Sequence, residues 1–238
     1  MEKRLYLHIG PHKTGTSAFQ ASLRANRMAL RRRGVHVVSA PAQSFRQWLR
    51  PPTNLKRLAH LMIRSELKTI WRMKGAAPHL TREEADAELA RAARRLARVK
   101  SPRMILSGEA FFFLREAEEK ARVSRFLEVV GRPVTVLCVN RDEADWRRSW
   151  EYELHRDPAI PQGLAGLAED ERPDGEWYFD RDAVRAFWRD LPGVSVDFRE
   201  IDYAQAMERD GTIVSSLYQA MGLDTRRLKT RVFRNVSK

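Results

Sequence analysis

Short apolar runs alternate with longer amphipathic stretches along most of the chain. The runs at 4–9, 35–40, 103–107, 134–139 and 194–201 have the length and the branched side chains of β-strands. The runs at 103–107 and 134–139 are almost continuously apolar, which is typical of central strands covered on both faces of a sheet. The alternation predicts an α/β protein with a three-layer fold, in which helices flank a central, mainly parallel sheet.

Helix signals occupy the stretches between the apolar runs. Thr81 and Glu84 have the spacing of a capping box, and apolar residues then recur every three or four positions up to Val99. Asp142 is placed to open another helix. Together these signals predict helices at 14–34, 80–100, 115–131, 142–155, 180–191 and 211–222.

Two segments interrupt the alternation. Residues 40–100 contain helix-like pieces broken by "RPPTN", and we expect them to form a helical insertion. Residues 156–178 are rich in proline, glycine and acidic side chains, and we expect a mobile loop there. Length alone allows one large or two small domains, and residues 1–238 are interpreted as a single domain that includes both segments.

Composition indicates an ordinary globular protein with a basic surface. Hydrophobic residues make up 43% of the chain and charged residues 32%, which argues against global disorder. The lone cysteine, Cys138, lies in an apolar run and is interpreted as a buried core thiol. No apolar run is long enough to span a bilayer or serve as a signal peptide, so we expect a cytoplasmic protein. The net charge of +13 predicts attraction to polyanions, phosphorylated ligands or anionic membrane surfaces.

The stretch "LYLHIGPHKTGTSAFQ", residues 5–20, predicts a strand, a glycine-containing turn and a helix start. It nearly matches the phosphate-binding pattern G-x-x-x-x-G-K-[ST] when aligned on Gly10, Gly15 and Ser17. Thr16 stands where that pattern has lysine, and Lys13 lies three residues earlier. Backbone N–H groups at such a turn bind an anion, and a lysine at position 13 suits the bridging oxygen of a donor with one phosphate and one transferable group.

This loop resembles the P-K-[ST]-G-T-[ST] loop of sulfotransferases that use 3′-phosphoadenosine 5′-phosphosulfate (PAPS), in particular bacterial members that act on carbohydrates and small molecules. The resemblance implies a P-loop-like fold and assigns the 5′-phosphosulfate to residues of "HKTGTS": His12, Lys13, Thr14, Gly15, Thr16 and Ser17. Lys13 is then the catalytic lysine.

A second block supports the same resemblance. Family members bind the 3′-phosphate of the donor with an arginine at a strand end and a serine eight residues later, and Arg141 and Ser149 have this spacing. Two positions differ from the family, because His12 replaces a proline and Ala18 replaces the aromatic residue that often stacks on adenine. The adenine contact is therefore unassigned, although the tail "RNVSK" is weakly similar to a C-terminal donor-binding segment.

The acceptor needs a base. Glu109, in "ILSGEAFF", follows a predicted central strand and matches the Ser-x-Glu pattern of the bacterial relatives, so it is the first candidate for taking the hydroxyl proton. His12 is the alternative base, while His8 is interpreted as a core residue. No spacing typical of a metal site occurs, and we expect neither a transition metal nor a requirement for Mg²⁺.

Three functions stay open at this level. The first is a PAPS-dependent sulfotransferase with a hydroxyl, or less readily an amine, as acceptor. The second is a P-loop kinase that uses Asp142 as its metal acid, and the third is a non-catalytic, basic nucleotide- or nucleic-acid-binding module, which no recognised nucleic-acid motif supports.

The acceptor itself is not identified, and neither is the oligomeric state. Residues 40–100 and 156–178 are expected to form the acceptor pocket because they interrupt the α/β alternation. Some of their side chains suit an anionic or sugar-containing small molecule: Arg46, Trp48, Arg50, Trp71 and Trp177.

Overall fold

The predicted α/β architecture is confirmed. A computed structural model describes residues 3–41, 44–45, 47, 51–77 and 79–232. Within these residues the strands are β1 (Arg4–His8), β2 (Val35–Val37), β3 (Arg103–Ser107), β4 (Val134–Asn140) and β5 (Val196–Asp202). They form one parallel sheet with the order β2-β3-β1-β4-β5.

Helices cover both faces of this sheet. Successive residues of a strand point to opposite faces. Accordingly, Leu5 and Leu7 belong to one buried cluster, and Tyr6 belongs to a second cluster on the other face. The helices of the described chain are α1 (Thr16–Ala25), α2 (Arg27–Arg32), α3 (Lys56–Met62), α4 (Ile70–Met73), α5 (Arg82–Ala97), α6 (Ala117–Val130), α7 (Glu143–His155), α8 (Ala159–Leu164), α9 (Glu176–Phe179), α10 (Arg181–Arg189), α11 (Tyr203–Asp210) and α12 (Ile213–Ala220).

The strand order creates a crevice beside β1. After β1 the chain crosses to β2 at one edge of the sheet, whereas after β4 it leads to β5 at the other edge. Because β1 and β4 are neighbours, the segments that follow them diverge at their carboxyl ends. Such a switch point is where open α/β sheets bind ligands.

The predicted helix at 14–34 is two helices, and the difference has a local cause. Asn26 separates α1 from α2, and its side chain is buried. The Asn26 amide oxygen accepts from the backbone N–H of Lys229 at 2.8 Å, and its amide nitrogen donates to the Lys229 carbonyl at 3.0 Å. Asparagine competes with the helix backbone in this way, so the helix is interrupted where the C-terminal segment is anchored.

Helix α11 is an element that the sequence pattern did not predict. It follows β5 directly, since Asp202 both ends the strand and caps the helix by accepting from the backbone N–H of Gln205 at 2.8 Å. Gly211, with a φ of 65°, ends it. The capping box predicted for α5 at Thr81 and Glu84 is confirmed.

The two interrupting segments contain short helices. In its described part, residues 40–100 hold α3, α4 and α5. Residues 156–178 hold α8, a 3-10 turn at Glu169–Glu171 and the first residues of α9, and the mobility expected there stays a prediction. None of the helices in the described chain is long and apolar enough to cross a membrane.

Candidate functional site

The loop between β1 and α1 has the geometry of an anion-binding turn. Gly15 directly precedes α1 with a φ of 82°, and a Cβ there would lie 2.7 Å from Cγ1 of Ile213, so the position requires glycine. Thr14 closes the turn by donating from Oγ1 to the Pro11 carbonyl at 2.7 Å. Within the described chain, no acceptor takes the backbone N–H of Thr16 or Ser17. These N–H groups at a helix start are available to an anion.

Lys13 is held at both its backbone and its side chain. Its φ is 66°, a left-handed conformation that is uncommon for residues other than glycine. Its carbonyl accepts from Nη1 of Arg141 at 3.0 Å, and its Nζ lies 3.4 Å from Oε2 of Glu153. The loop after β1 and the start of the segment after β4 are therefore in direct contact at the crevice.

Arg141 lies just after β4 and Ser149 lies on the following helix, α7, and no hydrogen bond joins the two side chains. Arg141 directly follows β4, is half-buried and packs over the ring of Tyr203 at 5.1 Å. Ser149 is half-buried in the middle of α7. Asp142 is exposed, and its Oδ1 accepts from the backbone N–H of Asp145 at 3.1 Å, so its carboxylate caps α7.

Glu109 lies just beyond β3. It starts a 3-10 turn, Glu109–Phe113, whose other residues are all buried and fix the turn against the core. The Glu109 side chain is half-buried, and Nδ2 of Asn54 donates to its Oε1 at 3.3 Å. Sequence reasoning missed Asn54, because nothing in the "RPPTN" turn indicates that it returns to the end of β3.

His12 packs among aromatic rings at the entrance of the loop. Its ring stacks on Trp150 with centroids 4.3 Å apart, and its Nδ1 lies 2.9 Å from the hydroxyl oxygen of Tyr178. Burial lowers the pKa of His12, while the nearby Glu109 carboxylate opposes part of that effect. Tyr178 was not a predicted site residue; its segment was expected to be a mobile loop.

Two other predicted assignments are confirmed. His8 is fully buried, its Nδ1 lies 3.0 Å from Oγ of Ser107, and burial lowers its pKa to about 3, as expected of a neutral core residue. Cys138 is buried, and burial raises the pKa of its thiol to about 12, so the thiol is protonated and unreactive.

Glu153 is a further site residue that the sequence did not single out. It lies on α7 four residues after Ser149, which is one helical turn, and this spacing was the available signal. The end of β5 also reaches the site: Asp202 caps α11, and the following residue, Tyr203, contacts Arg141.

Two tryptophans expected in the acceptor pocket, Trp71 and Trp177, lie among the described residues. Arg46, Trp48 and Arg50 lie outside the described residues. Trp71 packs edge-on against His60 at 4.6 Å. Trp177 lies under the guanidinium of Arg64 at 4.5 Å and donates from Nε1 to the Glu169 carbonyl at 3.1 Å, so both tryptophans serve in packing.

A cavity of about 250 Å³ lies between the segment after β2 and helices α3 and α5. Its wall is mainly aliphatic, with arginines and one carboxylate at the rim: Val38, Ser39, Ala40, Pro41, Leu55, Arg57, Leu58, Leu61, Glu88, Arg91, Ala92, Arg95 and Leu96. The loop residues do not line it. Leu55 joins the cavity to the site, because its N–H donates to the Ser107 carbonyl at 2.9 Å and its neighbour Asn54 contacts Glu109. Among the described residues, no cluster of histidine, cysteine or acidic side chains is arranged to hold a metal ion.

Comparison with known proteins defines the fold class. The chain is similar to the crystal structure of a sulfotransferase from Alicyclobacillus acidocaldarius, with 15% sequence identity, coverage of 99% of this chain and 88% of that chain, and a TM-score of 0.55. No family model and no curated protein matches the sequence. The protein therefore has a sulfotransferase-like α/β fold.

Proposed function

We propose that this protein is a sulfotransferase that transfers the sulfuryl group of PAPS to a hydroxyl group of a small-molecule or carbohydrate acceptor. The observation that carries the proposal is the contact between the Lys13 carbonyl and Arg141 at 3.0 Å, in a fold shared with a sulfotransferase. It joins the two blocks that the resemblance assigns to the two ends of one donor nucleotide.

The residues present fit such a donor. The free N–H groups of the loop would hold its 5′-phosphosulfate, and Arg141 with Ser149 would hold its 3′-phosphate. When bound, PAPS supplies the sulfuryl group and a nucleotide leaving group. Lys13, whose ammonium lies at the mouth of the loop with side-chain exposure of 33%, would stabilise the charge that develops on the bridging oxygen.

Glu109 is the proposed base. Its carboxylate is half-buried at the carboxyl end of the sheet, and the amide of Asn54 leaves one carboxylate oxygen without a partner among the described residues. That oxygen can take the proton of an acceptor hydroxyl as the hydroxyl oxygen attacks sulfur. His12 is the alternative base.

The proposed acceptor site is the cavity beside β2. Its aliphatic wall suits the apolar part of an alcohol or phenol, and the exposed Arg91 and Arg95 suit an anionic or sugar substituent. The link from Leu55 through Asn54 to Glu109 brings this cavity close to the proposed base.

The kinase alternative has less support. Thr16 occupies the position of the kinase lysine, and the Asp142 carboxylate is engaged as a helix cap. Neither feature bears on the third alternative, a nucleotide-binding module without turnover. Only an activity measurement separates that alternative from a sulfotransferase.

Calorimetric titration of the wild-type protein tests the proposed donor. Adenosine 3′,5′-bisphosphate should bind about ten- to a hundredfold more tightly than AMP, because only the former carries a phosphate for Arg141 and Ser149. ATP with Mg²⁺ is the comparison ligand for the kinase alternative. Equal affinities for the bisphosphate and AMP would rule out a PAPS site. If the bisphosphate is preferred, a mass-spectrometric screen of acceptors with labelled donor is the next experiment.

A further inference from the structure

Tyr178 contacts His12 at two points. Its hydroxyl oxygen accepts the backbone N–H of His12 at 3.2 Å and lies 2.9 Å from Nδ1 of the same residue. Tyr178 itself is fully buried. One hydroxyl group of the buried core is therefore within hydrogen-bond distance of both the backbone N–H and the ring of His12, the residue that precedes Lys13.

The donors and acceptors of Tyr178 and His12 determine where the protons of this pair lie. The backbone N–H can only donate, so the Tyr178 oxygen accepts there and has one proton of its own to place. Among the described residues, no acceptor other than Nδ1 lies within hydrogen-bond distance of this hydroxyl. If Nδ1 carried a proton, the Tyr178 hydroxyl would be buried without an acceptor, which is unfavourable.

We propose that Tyr178 is a positioning residue that holds His12 as the neutral tautomer with its proton on Nε2. Tyr178 donates to Nδ1, and the Nε2–H group of His12 is left to donate to an oxygen of the anion bound at the loop. Resting on the proposed function, this assignment makes His12 a hydrogen-bond donor to the sulfuryl group and leaves the role of base to Glu109.

The charges around His12 agree with a neutral ring. Glu109 from the turn after β3 and Glu153 from α7 favour the protonated form, and Lys56 from α3 and Lys13 from the loop disfavour it. Burial is the largest effect, and it lowers the pKa of His12. The nearby acidic and basic groups oppose one another, and burial then keeps the imidazole uncharged near pH 7.

The geometry is rigid because Tyr178 is packed by aromatic rings. The centroids of Phe112, Phe113, Trp146 and Phe179 lie between 5.2 and 5.3 Å from that of Tyr178. The His12 ring is stacked on Trp150 with centroids 4.3 Å apart. Neither ring can turn without displacing several neighbours, so the hydroxyl stays directed at Nδ1.

Nitrogen NMR of histidine-labelled protein tests the tautomer. The chain has 6 histidines, and the His12→Gln variant identifies the His12 signals by their loss. At pH 7 the wild-type spectrum should show a protonated Nε2 and an unprotonated Nδ1 with the shift of a hydrogen-bonded acceptor. In Tyr178→Phe, the Nδ1 signal should move toward the value of a free acceptor.

Tyr152→Phe is the matched control, since Tyr152 is 66% exposed on α7 and should leave the His12 signals unchanged. A proton on Nδ1, an imidazolium at pH 7, or an Nδ1 signal unaffected by Tyr178→Phe would overturn the assignment. If the Tyr178→Phe protein does not fold, the wild-type spectrum still tests the tautomer, because it shows whether the His12 proton is on Nε2 or on Nδ1.

Turnover of two His12 variants tests the catalytic part. Glutamine offers an amide N–H near the position of Nε2 but cannot act as a base, whereas leucine offers neither function. His12→Gln should be about ten- to a hundredfold more active than His12→Leu and keep the wild-type pH profile. Equal loss in both variants would make His12 the base and overturn the donor role. Absence of any sulfuryl transfer in the wild type would contradict the proposed function instead, and leave the NMR result to stand.

Discussion

Lys13 combines an unfavourable backbone conformation with a side chain that faces the crevice. A left-handed φ costs about 1–2 kcal/mol for a residue with a Cβ, and glycine would avoid that cost. The conformation is sustained by contacts at both ends of the residue, from Arg141 to the carbonyl and from Glu153 to the ammonium. A lysine retained at a position that favours glycine is typical of a functional requirement for its side chain.

Replacing Lys13 tests this requirement. Lys13→Ala should lower the catalytic rate by roughly two to four orders of magnitude, because the charge on the departing bridging oxygen loses its cation, and should change donor affinity much less. Lys13→Gly relieves the backbone and should be equally slow. The exposed Lys100→Ala is the control. Rates and donor affinities are measured separately, and near-normal turnover in either loop variant would remove Lys13 from the mechanism.

Glu109 is the second residue whose chemistry can be tested directly. Glu109→Gln preserves shape and the contact with Asn54 but cannot accept a proton, so turnover should fall about a hundredfold or more. The decrease in rate on the acidic side of the wild-type pH profile should also disappear. Glu208→Gln, an exposed change on α11, should match the wild type. A profile that keeps its acidic limb in Glu109→Gln would assign the proton to another group.

At the scale of elements, α7 carries much of the site. Trp150 of this helix stacks on His12, Glu153 pairs with Lys13, and Ser149 directly precedes Trp150. The buried Trp146 anchors the helix to the core, while Asp142 caps its start. Because this helix contacts two consecutive loop residues, His12 and Lys13, its position bears on the loop geometry as well as on the proposed 3′-phosphate site.

Arg141 and Ser149 should therefore respond differently to substitution. Ser149→Ala should reduce the preference for adenosine 3′,5′-bisphosphate over AMP by about tenfold and leave AMP binding unchanged. Arg141→Ala should erase most of that preference. It should also weaken AMP binding, because the substitution removes the hydrogen bond from Arg141 to the Lys13 carbonyl. Calorimetry of both nucleotides with both variants checks this. A Ser149→Ala protein that loses AMP and bisphosphate affinity equally would place the 3′-phosphate elsewhere.

At the scale of the whole molecule, two buried histidines couple stability to pH. Burial lowers the pKa of His8 to about 3 and the pKa of His60 to about 4, from an ordinary value of 6.5. Below about pH 6.5 the unfolded chain binds these protons and the folded chain does not. Stability from both groups is present above that pH and is lost as the pH falls toward 4.

The free energy of unfolding should thus decrease between pH 6 and pH 4.5 by about 1.4 kcal/mol per pH unit for each histidine. Urea unfolding at several pH values measures this slope. His60→Gln should reduce it by the contribution of one proton, and His79→Gln, which removes an exposed histidine, should not. An unchanged slope in His60→Gln would show that other groups cause the acid sensitivity.

The sequence by itself determined the features that are local. Runs such as "RMILS" and "VTVLCV" predict buried strands because they are almost continuously apolar, and the Gly15 turn predicts an anion site because a helix start has free N–H groups. The capping box of α5 and the cap at Asp142 were likewise visible, since each depends on residues three positions apart.

Only the tertiary structure decided which distant residues meet. Tyr178 reaches His12 across 166 positions, Glu153 reaches Lys13 across 140, and the segment around Lys229 interrupts a helix at Asn26 from 203 positions away. No periodicity encodes such contacts, because they follow from the strand order and from helix packing. The glycine turn at the start of α1 was therefore predictable from its residues, whereas the tyrosine that holds its histidine and the carboxylate that holds its lysine were not.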